Sequence, residues 1–324
     1  MNESSPDLAD GSLAEPFDDE WYAVAPAQKL KRSKPLRIEL HGRRLVLWRT
    51  DTGQVTALDD RCPHLGASLS AGRVHNHTLV CPYHGLRFNA EGQCVHIPGQ
   101  PANEAIPRRM CNRTWLTHEV GGWIFIQWSA PDTAPAEPPQ LPQEIDTHGS
   151  ASSWSIRDWP VHYSRAIENA LDVLHFAEIH RALFWIPVLP EEQVVIKTED
   201  KLIHFTVKDR LRGVPKDFCA GLVYPNLWYQ RMGPLGVTTM ALVPSGKEST
   251  RIYLRTDVTM PPVPGLKQLV AHMTHWFYML ALWQDSRVVF EQTPRTVEEA
   301  NDILIGYDRL SATYRKMRQA NRPE

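Results

Sequence analysis

Two pairs of metal-binding side chains stand near the start of this 324-residue chain. They are Cys62-Pro63-His64 and Cys81-Pro82-Tyr83-His84, with 16 residues between His64 and Cys81. Each pair offers one thiolate and one imidazole. A Cys2His2 set suits zinc. It equally suits a 2Fe–2S cluster in which two Cys hold one iron and two His hold the other, the imidazoles raising the reduction potential above that of an all-thiolate cluster. The Cys-x-His step is one residue tighter than the usual first half of a zinc ribbon. Both pairs are rich in loop residues (Pro63, Gly66, Pro82, Gly85), as two short loops gripping a flat cluster from its ends would be. Such a cluster relays single electrons.

A second set lies in Glu168-Asn169-Ala170-Leu171-Asp172-Val173-Leu174-His175-Phe176-Ala177-Glu178-Ile179-His180. Two His and a carboxylate on one face of Fe(II), with open positions for O2, make a non-haem oxygenase site. Residues five apart on a regular helix point roughly 140° away from each other. The spacing of His175 and His180 therefore predicts a π-type bulge or a helix break between them. The plain alternative is two ordinary histidines on an amphipathic helix. The third donor must be a carboxylate from elsewhere in the chain, and Trp283-Gln284-Asp285-Ser286-Arg287-Val288-Val289-Phe290-Glu291-Gln292 offers Asp285 and Glu291.

The CPHLGASLSAG and CPYHG stretches resemble Rieske loops. The run Asn169-x2-Asp172-x2-His175-x4-His180 resembles the iron motif of the Rieske non-haem iron oxygenases. The resemblance, closest to the dicamba and vanillate demethylase-like members, covers the chain from about Trp21 to the last helix. It implies that Cys62, His64, Cys81 and His84 hold a Rieske 2Fe–2S cluster. It further implies that His175, His180 and Asp285 hold a mononuclear Fe(II), Asp285 lying in a segment similar to the family's late Glu-Asp-x6-Gln, with Gln284 where many relatives carry Glu. Asp172 would link a ligand His to a Rieske His, His84 before His64, of a neighbouring subunit. That bridge requires a head-to-tail ring, most simply a homotrimer. Asn169 joins Asp172 as a catalytic candidate. Glu178 is read as an outer or surface carboxylate, and Leu86 stands where many relatives have Trp after the second loop.

The elements that must position these residues read as two parts. An acidic tail over 1–20 holds seven Asp or Glu and no Lys or Arg, which is neither a signal peptide nor a transit peptide. Residues 21–130 read as an all-β domain, with Arg43–Arg49 and Val55–Leu58 flanking a Thr52-Gly53 turn. Five prolines make 131–143 a semi-rigid linker. Residues 144–324 read as a catalytic domain: strands at Trp154–Trp159, Val194–Lys197, Lys201–Lys208, Phe218–Val223, Val237–Val243 and Thr250–Thr259, then helices over about Leu266–Gln292 and Val297–Arg318. The class is α+β, and the resemblance implies an antiparallel sheet gripping a long C-terminal helix.

With 35 basic and 37 acidic residues the chain gives no electrostatic case for nucleic acid or a membrane surface. Its most apolar window, Leu269 to Trp283, is too short for a span and suits a buried helix. Two of five cysteines serve the cluster, and the absence of an export signal points to a cytoplasmic enzyme. Cys94, Cys111 and Cys219 read as small buried hydrophobes, Cys94 packing near the cluster.

By resemblance, electrons come from NAD(P)H through a separate reductase or ferredoxin, since no nicotinamide-binding glycine motif is present. The expected reaction is hydroxylation or oxidative demethylation of a hydrophobic or aromatic compound with O2. The alternatives are a dihydroxylating dioxygenase and a Rieske electron carrier with a binding domain. Candidate pocket walls are Leu174, Phe176, Leu183, Phe184, Trp185, Ile186, Phe218, Leu222, Tyr224, Trp228, Val237, Met240, Trp276, Phe277 and Leu280. Asn169, Asn226 and Gln230 are candidates to orient a polar substituent.

Overall fold

Short runs of β-branched and aromatic residues, punctuated by Gly and Asn turns, fill the first part of the chain and fold into three small antiparallel sheets. The computed structural model describes residues 18–321 apart from 102, 132, 146–149, 185–188, 209–213, 215–217, 232, 234–235 and 261–264. Most of the acidic tail, Trp185 and Ile186 lie outside the described residues. The expected hairpin forms between Arg43–Arg49 and Val55–Asp59, its turn closed by Gly53 at φ +90°. Glu20–Pro26 and Thr117–Val120 flank Trp123–Trp128 in a second sheet. Arg73–His75, Thr78–Val80, Arg87–Phe88 and Cys94–His96 make the third. A separate small core of Val46, Trp48, Leu58, Leu69, Leu79 and Phe88 sits under the cysteine loops and includes Cys94.

The second part is a seven-stranded antiparallel sheet. Its order is Ala151–Trp159, Ser249–Val258, Gly236–Gly246, Leu227–Arg231, Cys219–Val223, Leu202–Val207, Val194–Glu199. The strand Leu227–Arg231 is absent from the sequence reading. Five helices accompany the sheet among the described residues: α1 (Tyr163–Leu171), α2 (His175–Ile179), α3 (Arg181–Phe184), α4 (Leu266–Val289) and α5 (Arg309–Ala320). The 24-residue α4 lies across one sheet face, where Tyr278 donates to Gln230 and His275 meets Ser155. The fold is thus α+β, with a sheet wrapped on a long helix.

One apolar core runs from Trp21 in the first part to Tyr314 in α5. Asn226 belongs to that join: its side chain pairs with both the N–H and the C=O of Ala23, each at 2.9 Å. It is a clasp between the two parts and lines neither of the two chambers along α4.

Three further expectations are corrected. The last predicted helix starts at Arg309, because residues before it are held in an irregular path ending in a 3-10 turn at Gly306–Asp308: Asp302 is gripped by Arg165 at 2.7 Å and Arg315 at 2.6 Å, and Val297 N–H donates to Ser164. The apolar window on α4 buries only one face, leaving Met273 and Trp276 53% and 61% exposed. Cys111 is exposed. No helix among the described residues is long and apolar enough to cross a membrane.

Candidate metal centres and cavity

The two Cys/His loops are built alike. In each, the Gly four residues after the Cys donates its N–H back to the Cys carbonyl (Gly66 to Cys62, 2.9 Å; Gly85 to Cys81, 3.1 Å) and adopts a left-handed φ of +75° or +73°. Only a residue without a Cβ closes such a turn cheaply. Leu86, whose carbonyl accepts from Cys81 N–H, is buried beneath the second loop. The two sulfurs are buried, while His64 and His84 stand exposed at the tip with ring centroids 4.8 Å apart.

Burial, with the Cys81 thiol alongside, pushes the Cys62 thiol up to about 11. A thiolate there therefore requires a metal's charge beside it. A tetrahedral zinc would hold its donors about 3.5 Å apart. Among the described residues no three of these four side chains bring their ligand atoms within 4.8 Å of one another. That spread favours two irons over one zinc.

The second set of donors does converge. Ligand atoms of His175, His180 and Asp285 all lie within 4.8 Å of one another. Nε2 of His180 is 3.1 Å and Nε2 of His175 is 3.6 Å from Asp285 Oδ1. Bonds of about 2.1 Å meeting at right angles would separate donors by about 3 Å, so the set is near a facial triad. Asp285 Oδ1 is buried with no hydrogen-bond donor aligned on it, an orphaned charge that a cation would satisfy. The residues fit Fe(II).

Local structure explains the convergence. α1 ends at Leu171, Asp172–Leu174 break the helix, and His175 starts the short α2, with His180 just past its end at φ −102°, ψ 11°. The bulge or break expected between the two histidines is absent: the regular turn of α2 joins them, with His180 N–H donating to the Phe176 carbonyl at 3.2 Å, and the helix is broken before His175 and ends at His180 instead. Asp172 Oδ1 accepts from Leu174 N–H at 2.7 Å, fixing the break. Burial works against the Asp172 charge, but His175 and two backbone N–H groups outweigh it and hold the carboxyl below its ordinary range. Burial likewise opposes charge on His180, while Asp285 and Gln284 outweigh it and raise that imidazole.

His180 has a hydrogen-bonded outer partner on Nδ1, Gln284 Oε1 at 2.9 Å, whereas His175 Nδ1 is buried with only the Asp172 carboxylate nearby, beyond hydrogen-bond reach at 3.7 Å. A partner such as Gln284 sets the tautomer that leaves Nε2 free for a metal. Gln284 was legible only as a departure from the family pattern. Glu291 is exposed and outside the triad, and Glu178 is a surface group 3.6 Å from Arg181.

The triad closes one end of a cavity of about 500 Å³ between the sheet, α1 and α4. Phe176, Trp228, Met240 and Asn169 line it as expected; Trp159, Leu254, Tyr278 and Leu282 do so without having been anticipated. A second chamber of about 800 Å³ follows along the sheet, with Leu183, Gln230, Val237 and Phe277 in its wall and Tyr278 shared by both. The other expected wall residues among those described, including Leu222, Tyr224 and Leu280, line neither chamber.

Residues 20–110 match the family description Rieske [2Fe-2S] domain. Aminopyrrolnitrin oxygenase of Pseudomonas fluorescens is 29% identical over 226 residues, 68% of this chain and 60% of that protein. The match covers 45% of the oxygenase component of 3-ketosteroid-9-alpha-monooxygenase of Rhodococcus rhodochrous, at 30% identity over 53% of this chain. The chain thus spans under two thirds of the length of these curated relatives. In fold it is similar to NdmA of Pseudomonas putida CBB5 (TM-score 0.74, 21% identity, 92% of this chain and 88% of that one). It is similar also to dicamba monooxygenase bound to dicamba (TM-score 0.71, 21% identity, 95% and 98%).

Proposed function

We propose that the chain, which carries a Rieske [2Fe-2S] domain over residues 20–110, is a Rieske non-haem iron oxygenase and the oxygenase component of a multi-component system. It takes electrons from NAD(P)H through a separate reductase or ferredoxin and uses O2 to hydroxylate or oxidatively demethylate a hydrophobic or aromatic small molecule. The observation that carries this reading is the convergence of His175, His180 and Asp285 at the end of an apolar cavity. In this account residues 21–130 carry the cluster on Cys62, His64, Cys81 and His84. Residues 144–324 hold Fe(II) on His175, His180 and Asp285, and 131–143 link the two.

The bound cluster and iron supply single electrons and O2 chemistry. The chain's own residues prepare the ground for it. Gln284 orients the His180 imidazole so that its Nε2 lone pair faces Asp285, and Asp172 sets a negative charge 3.7 Å from His175 Nδ1. Trp159, Phe176 and Leu282 exclude water from the reacting end, and Asn169 borders it from the last turn of α1. Asp172, with a side chain 34% exposed, is free to accept from His84 of a neighbouring copy on its outer side while it faces His175 on its inner side. The exposed His64 and His84 support such a hand-over within a head-to-tail homotrimer.

A single-turnover assay tests the reading. Chemically reduced protein is mixed with labelled O2 and a panel of aromatic, methoxylated and N-methylated compounds. One labelled atom in product, or loss of a methyl group, is the expected result; two labelled atoms would make it a dioxygenase.

A further inference from the structure

The two chambers differ in chemistry. The one beside His175, His180 and Asp285 is walled by aromatic and aliphatic side chains, whereas the second adds Gln230, Thr238, Thr256, Asp257 and Thr274. Among the described lining residues neither chamber contains Lys or Arg. Arg255, next in sequence to the lining residue Thr256, is committed elsewhere: it donates to Asp257 at 2.9 Å and to the Gly121 carbonyl at 3.1 Å. Asp257 itself places a carboxylate in the second chamber's wall. His275, in contact with Thr256, is held neutral, burial pushing it down to about 4 with His272 and Arg157 adding to the effect. A buried carboxylate or sulfonate would meet no basic countercharge among the described lining residues.

Gln230 is 2% exposed. Its Oε1 accepts the Tyr278 hydroxyl at 2.9 Å, which fixes the amide's orientation and leaves the Nε2 N–H groups for the cavity. Two residues earlier on the same strand and face, Trp228 Nε1 is also buried with no acceptor. Unmatched donors at that depth are rare unless a ligand completes them.

We infer that the substrate is uncharged, with its apolar reacting end beside His175, His180 and Asp285 and a carbonyl-type acceptor held by the Gln230 amide N–H in the second chamber. This inference rests on the oxygenase reading for which end reacts, but the binding it describes does not depend on turnover.

The test is calorimetric binding of three matched probes to the holoenzyme: 6-methoxy-2-acetonaphthone, 2-ethyl-6-methoxynaphthalene and 6-methoxy-2-naphthoate. The ketone should bind about tenfold or more tighter than the hydrocarbon, the worth of one buried hydrogen bond, and the carboxylate weakest. Gln230→Leu should bring the ketone to the hydrocarbon's affinity. Gln230→Glu, which keeps the Tyr278 contact and the shape but lacks the donor, should do the same and controls for collapse of the wall. A carboxylate that binds as tightly as the ketone, a ketone advantage that survives both variants, or no binding of any probe would overturn the inference. Tight, Gln230-dependent binding of the ketone without oxygenation would leave it standing and count against the oxygenase reading instead.

Discussion

Replacing Gln284 with Leu should loosen the mononuclear iron while leaving the Rieske cluster untouched. Gln284 Oε1 accepts from His180 Nδ1 at 2.9 Å, and His180 is 1% exposed. Leu has nearly the same volume but no acceptor, so the N–H is left unpartnered in a dry site at a cost of about 1–3 kcal/mol. The imidazole escapes that cost by rotating or by changing tautomer, and either move takes the Nε2 lone pair off the metal. Removing the outer partner of a ligating His lowers metal affinity about 10–100-fold. That factor corresponds to about 1.4–2.7 kcal/mol, in accord with the hydrogen-bond cost. Competition with a ferrous chelator reads the affinity, and the Rieske absorption serves as an internal standard. Gln284→Glu keeps the acceptor and should hold iron at least as tightly as the natural protein. Unchanged iron affinity in the Leu variant, or equal loss in Leu and Glu, would refute the role given to Gln284.

Asp172→Asn should keep both metal centres bound yet reduce turnover to near zero, because the neutral amide no longer supplies the charge that links the two imidazoles; normal steady-state activity would rule out the proposed electron route. A pH effect follows from His275. Its folded pKa lies below its ordinary 6.5, so the unfolded chain binds the extra proton, and stability should fall as pH drops from about 6.5 toward about 4. Denaturant titrations across that window should show a shallower pH slope in His275→Asn; an identical slope would remove His275 as the cause.

The chemistry was more legible in the sequence than the surfaces around it. The Cys62–His64 and Cys81–His84 loops could be read because a left-handed Gly must follow each Cys at a fixed step, and the structure has both. The five-residue spacing pointed to a break between His175 and His180, whereas the chain breaks before the pair at Asp172–Leu174 and joins the two through the single helical turn of α2. The pocket face of α4 was misread in favour of its bulky residues Trp276 and Leu280, although Phe277 does line the second chamber. The buried positions His275, Tyr278, Leu282, Asp285 and Val289 recur at helical spacing and would have marked the right face. Asn226 and Gln230 looked alike as candidates, four residues apart. Only tertiary contacts separate them, one clasping Ala23 and the other lining the second chamber. The irregular stretch before Arg309 was unreadable because its Asp302 is gripped by Arg165, 137 residues away in sequence, as well as by Arg315.

The most direct test of two separate iron sites is metal content by mass spectrometry, measured with the Rieske spectrum on the natural protein and on His175→Ala. The account predicts three irons per chain, falling to two in the variant with the cluster's spectrum intact. Two irons in both proteins, or loss of the Rieske spectrum in the variant, would contradict it.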